Sequence, residues 1–226
     1  MRKTVPLLIV FAAAIALPLR SGDIKPGSDK ARWPIKTSVP EGTDLAKAGT
    51  LINLSDLLSL QPAAEKMTKD FESVRYPKPG GAKYAEGQIV RTRGYLRLIA
   101  GEGDGDYHMQ ISTTPDTFDN CLVVEVPDDD KTFIAKTPDL IPLAKNVRDW
   151  VANSLKLSKD PLGRILIMQK PPYVEVTGQL FFDAEHQAAM GKGDFRGKSI
   201  SGKQLPSKTS WELHPVIKMA FAPAPK

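Results

Sequence analysis

Cysteine, histidine and long apolar runs are scarce in this chain of 226 residues, and each scarcity excludes something. The single cysteine, Cys121, cannot form an internal disulfide, so no covalent framework holds the fold. It opens the apolar stretch Cys121-Leu122-Val123-Val124, which predicts a buried strand position rather than a reactive thiol. Beyond the first residues, no segment approaches the roughly 20 apolar residues that a spanning helix needs. Charge of one sign is also lacking: 31 basic side chains face 26 acidic ones. That balance permits contact with polyanions without the concentrated charge of a dedicated nucleic-acid binder. There is no glycine-rich phosphate loop, serine nucleophile elbow, dinucleotide fingerprint or internal repeat. The Gly101-Glu102-Gly103-Asp104-Gly105 run opens a hairpin rather than a helix, so its amides are not set for phosphate.

What is present begins with the layout of a secretory signal over residues 1–16. Arg2 and Lys3 supply the positive start, Val5 to Ile15 the apolar run, and Ala14-Ile15-Ala16 an A-x-A cleavage site. Cleavage there leaves a mature chain carrying 29 basic against 26 acidic side chains, expected to be exported to the periplasm or secreted, without stable membrane insertion. Residues 17–43, rich in Pro, Gly, Lys and Ser, read as an extended linker. Residues 44–80 read as a helical extension, with Leu51, Leu54, Leu57 and Leu58 on one helical face. Pro77-Lys78-Pro79-Gly80-Gly81 then breaks regular structure.

Residues 88–221 carry the main pattern: strand, strand, strand, helix, strand, strand. Val90, Leu96 and Leu98 share a parity on the first strand, with Gly94 placed to bend it. Tyr107 to Ser112 and Cys121 to Val126 form the second and third strands. Leu143, Val147, Val151 and Leu155 recur at helical spacing. Val174, Val176, Leu180 and Phe182 alternate with polar residues on the fourth strand, and Trp211 to Phe221 makes the last, after a long loop over 184–209. This order predicts a mainly β protein, a five-stranded barrel of the oligonucleotide/oligosaccharide-binding (OB) type with an N-terminal helical extension.

Two stretches of the second half carry a resemblance. Gly178-Gln179-Leu180-Phe181-Phe182-Asp183-Ala184-Glu185-His186 and Trp211-Glu212-Leu213-His214-Pro215-Val216 resemble the end of a loosely defined group of exported bacterial OB-like proteins. The likeness spans roughly residues 88–219. It implies fold and export, and brings no reaction with it.

Three sets of residues carry candidate chemistry. His186 and His214, with Asp183 and Glu212, offer two imidazoles and two carboxylates on neighbouring strands, a donor set suited to zinc or a similar divalent ion. The same residues can instead fasten a loop and a turn by hydrogen bonds. Glu102, Asp104 and Asp106, spaced by glycines, suit a calcium ion or an ordinary acidic hairpin tip. Arg91, Arg93 and Arg97 share a face of the first strand with Tyr95, while Lys192, Arg196 and Lys198 sit on the long loop. Together they predict either a contact surface for an anionic polymer, nucleic acid or an envelope glycan, or a plain charged surface. The leading expectation is a binding protein without a cofactor, its ligand an anionic polymer or a protein partner. Its alternatives are a metal-dependent hydrolase of nuclease-like or other kind, and an assembly protein docking on an envelope partner.

Overall fold

The computed structural model describes residues 32–60, 75, 84–116, 120–130, 134, 137–157, 161, 163–184, 186, 197–200 and 203–225. The signal-like segment, residues 17–31, Lys192 and Arg196 lie outside them. The elements in chain order are α1 (Trp33–Lys36), β1 (Thr50–Leu51), α2 (Leu54–Leu58), β2 (Ile89–Gly101), β3 (Tyr107–Ser112), β4 (Cys121–Val126), α3 (Leu140–Ser154), β5 (Ile165–Ile167), β6 (Tyr173–Phe182), β7 (Gly197–Ile200) and β8 (Lys203–Phe221).

The chain is mainly β, and five strands close into a ring: β2 pairs β3, β3 pairs β4, β4 pairs β8, β8 pairs β6, and β6 returns to β2. All these pairings are antiparallel except the parallel β4 and β8. Closure depends on β2 serving both sides. Its first half pairs β6, from Ile89 opposite Gln179 to Tyr95 opposite Tyr173, and Tyr95 is also the first residue to pair β3, opposite Ser112. Gly94 stands at this changeover because a side chain would not fit. A Cβ there would lie 2.8 Å from Leu54 Cδ2 and 2.9 Å from the Ser112 carbonyl oxygen.

Period-2 alternation sends one face of each ring strand inward. Tyr107, Met109, Ile111, Leu122, Val124, Val126, Val174, Val176, Leu180, Phe182, Trp211 and Leu213 belong to one buried core. Each fully buried aliphatic or aromatic side chain contributes about 1.5–3 kcal/mol. Of the expected stripe on α3, Val147 and Val151 are buried in this core beside Leu140 and Ala144, while Leu143 and Leu155 pack against it half-buried. Cys121 is buried in its strand, as expected.

Four expectations need correction. Leu96 and Leu98 do not share a face, because a bulge lies between them. Leu96 and Ile99 enter the main core, whereas Leu98 and Ala100 join Cys121 and Leu205 in a second small cluster. Leu51 does not share the helical face of Leu54, Leu57 and Leu58: it lies on β1, half exposed. The loop over 184–209 contains β7 and the first part of β8, which pair as a hairpin. Finally, the end of the expected linker is docked rather than extended, with Arg32, Ile35 and Thr37 buried.

Candidate functional site

The same alternation that fills the ring turns His108 and Gln110 of β3, Glu125 of β4, and Glu212 and His214 of β8 to the outer face. Because β3, β4 and β8 are consecutive in the ring, these side chains form one patch. His108 stands directly opposite Glu125, and Val123 opposite Glu212. The turn between β2 and β3 adds Glu102, Asp104 and Asp106. Gly105 makes that turn with φ at 90°, and its carbonyl accepts a hydrogen bond from Arg148 at 2.9 Å. All of these polar residues except Glu102 are buried.

The N-terminal arm covers the patch. Arg32 fixes it at one end, forming two hydrogen bonds to Glu86 at 2.8 and 2.6 Å in a fully buried ion pair. Arg75 donates to the Ser38 carbonyl at 2.9 Å. Between these points α1 inserts Lys36, whose Nζ lies 3.0 Å from Asp106 Oδ2, 3.0 Å from Glu125 Oε2 and 3.8 Å from Asp104 Oδ2. One ammonium thus stands among carboxylates in a place where an unpaired charge would be very costly.

Both histidines are held between acceptors. His108 Nδ1 faces Glu125 Oε1 at 2.6 Å, and its Nε2 faces Gln110 Oε1 at 3.3 Å. The orientation of Gln110 is fixed, since its amide donates to the Leu205 carbonyl and its Oε1 accepts from the Lys198 backbone. His214 Nδ1 donates to the Lys36 carbonyl at 2.8 Å, which leaves Nε2 facing Asp106 Oδ2 at 3.0 Å. A ring nitrogen placed against a carboxylate needs a proton or another cation there.

The electrostatics follow from this crowding. Burial works against the Lys36 ammonium, yet Glu125, Asp106, Glu212 and Asp104 outweigh it and hold the proton well above the ordinary lysine range. Burial alone would raise Glu125, but Lys36 and the His108 hydrogen bond keep its carboxyl well below the usual range. Asp106 is likewise lowered: burial opposes ionisation, while Lys36 and His214 prevail. Asp104 goes the other way. Burial and the neighbouring Asp106 charge push it up to about 6, against a smaller opposing pull from Lys36.

The predicted metal set divides between two places. His186 is exposed and bonded to Asp183, three residues before it. Asp183 is held level with Ser210, four residues before His214 on the same strand, or roughly 13 Å at strand rise. Among the described residues, the groups able to hold a metal ion are Glu102, His108 and Glu125, and Asp106, Glu125 and His214. Neither contains His186, Asp183 or Glu212. The three turn carboxylates do not make a common calcium cage either: Asp104 and Asp106 face Lys36, and Glu102 pairs with Lys198.

The predicted basic surface also divides. Arg91 and Arg93 both pair with Glu175, at 3.3 and 2.6 Å. Tyr95 packs edge-on against Tyr173. Arg97 is buried, because the bulge after Leu96 carries it off the exposed face, and it donates to the Thr114 carbonyl. Lys198 belongs to the acidic patch. A different open surface gathers cations: a groove of about 440 Å³ whose lining includes Lys47, Arg91 and Lys218, with Glu175 and Trp150. Trp150 meets the exposed Phe221 edge-on at its side.

Sequence reasoning missed His108, Glu125 and Lys36 as site residues. The signal for the first two was their shared outward parity on paired strands, one of which lies between β3 and β8. No local signal marked Lys36, which reaches the patch from a segment of linker composition. Comparison of the chain with family models, curated proteins and solved structures gave no match.

Proposed function

We propose that this is an exported, OB-like binding protein that takes a segment of an anionic polymer in the groove beside α3. The order of ring strands, with α3 between the third and fourth, supports the OB-like reading. The layout of residues 1–16 supports export. The observation that carries the ligand class is the groove lining, where Lys47, Arg91 and Lys218 stand against the single carboxylate of Glu175. Lys47 and Lys218 are exposed, and neither has an ion-pair partner among the described residues. The exposed ring of Phe221 at Trp150 gives a flat apolar platform of the kind on which bases or sugar faces stack. The acidic patch does not serve this role, being covered by the arm and of the wrong sign.

The test is salt-dependent binding of a single-stranded oligonucleotide and of a carboxylated or sulfated glycan, followed by anisotropy. Binding to either should weaken steeply with salt. Reversal of Lys47, Arg91 and Lys218 to glutamate should abolish it, with a salt slope reduced by about 2 when the residues are neutralised instead. Unchanged binding in the triple variant would overturn the reading. A preference for one polymer would identify the source of the anionic groups.

A further inference from the structure

We propose that the outer face of β3, β4 and β8 is a divalent-cation site, formed by Asp106 Oδ2, Glu125 Oε2 and His214 Nε2, in which the Lys36 ammonium is a tethered occupant. The inference is independent of the polyanion groove. Its ligand atoms all lie within 4.8 Å of one another, with His214 Nε2 3.0 Å from Asp106 Oδ2 and 3.9 Å from Glu125 Oε2. Ligands at about 2.0–2.2 Å from a common ion have separations of this order.

Three further observations point to a cation rather than to a purely structural knot. First, Lys36 Nζ already sits 3.0 Å from both carboxylate oxygens, so the patch selects positive charge at that point. Second, the His214 Nδ1–H donates to a backbone carbonyl, which leaves Nε2 directed at the carboxylates. This is how metal-ligating histidines are oriented by the groups behind them. Third, Asp106 Oδ1 is buried without a hydrogen-bond partner among the described residues, a spare donor atom beside the same point.

Exchange does not require the arm to leave. The carbonyl that orients His214 belongs to the Lys36 backbone, whereas the Lys36 side chain is one-fifth exposed and can swing to solvent with its proton. A divalent ion in its place brings one more positive charge to a carboxylate-rich patch. Two carboxylates and one imidazole suit an ion between the hard and soft limits, such as Zn²⁺ or Mn²⁺, better than Mg²⁺.

The test uses the mature chain and the metal alone. Calorimetric titration with Zn²⁺ should give one site in Lys36→Met, at least tenfold tighter than in the unaltered protein. Adding His214→Ala should remove it. The same ion should restore melting temperature lost in Lys36→Met. Should that variant fold poorly, Mn²⁺ added to the unaltered protein is read by NMR of its three histidine rings. Broadening of His108 and His214 at lower Mn²⁺ than His186 supports the site. Equal metal affinity with and without Lys36, or broadening confined to His186, overturns it.

Discussion

Met109, Leu122, Val124 and Leu213 point into the ring and pack in an apolar core, while His108, Glu125 and His214, their neighbours along the same strands, point outward and are buried too. The two faces are closed by different means. The inner face is sealed by α3 and by the ring itself. The outer face is sealed by a polar arm, through the Arg32–Glu86 pair and the insertion of Lys36. Alternation on a strand therefore separates apolar from polar residues, but does not say which of them water reaches. Burial on the inner face lowers the free energy by removing apolar surface from water. Burial on the outer face is tolerated because Lys36 stands among its carboxylates.

The contrast can be broken most strongly on the outer face. Glu125→Ala leaves Lys36 and His108 without their shared carboxylate, and should destabilise by about 3–5 kcal/mol near neutral pH. The folded-state Glu125 carboxyl lies below its ordinary value, so its stabilisation is present above the unfolded pKa of about 4.5 and is lost as pH falls through the lowered folded value. Denaturant titrations at pH 7 and in acid should show the penalty shrinking. On the inner face, Met109→Ala should cost about 2–5 kcal/mol with no such dependence on pH. A pH-dependent penalty for Met109 would contradict the assignment of faces.

Asp104→Asn sharpens the comparison in the opposite direction. The raised carboxyl, at about 6, opposes folding when ionised, and this cost is present above 6 and relieved as pH falls toward the ordinary value of 3.8. The variant should be more stable than the parent by about 1–3 kcal/mol at pH 8, with the gain vanishing below about pH 4. An Asp104→Asn chain that is less stable at pH 8 would refute the like-charge crowding. The smallest effect belongs to the solvent-facing pair of Arg93 and Glu175. Arg93→Gln should change stability by less than about 1 kcal/mol, and still less in high salt.

Much of the ring was legible because its strands obey period 2 and are bounded by turn residues. Tyr107–Ser112 and Cys121–Val126 fall where the pattern put them. What failed were features set by tertiary contact. The bulge after Leu96 reverses parity and separates Leu98 from the main core, and Arg97 at the bulge is buried against the Thr114 carbonyl. Lys203 to Pro206 extend the last strand because β7 pairs there, a hairpin that the lysine- and glycine-bearing composition conceals. The candidate site was harder to see. β4 lies between the strands of His108 and His214, and it is Glu125 on that intervening strand that joins them. Proximity of His186 to His214 was inferred from strand adjacency without register, and register separates them. Lys36 lies 178 residues from the histidine its carbonyl accepts from, so only the folded arm brings it to the patch.

The central claim is that the Lys36 ammonium balances the buried carboxylates of the outer face. A double-mutant cycle of Lys36→Met and Glu125→Gln, measured by equilibrium denaturation at pH 7, tests it most directly. The account predicts a coupling of about 2–3 kcal/mol. A coupling below about 0.5 kcal/mol, which is what independent sites give, would contradict it.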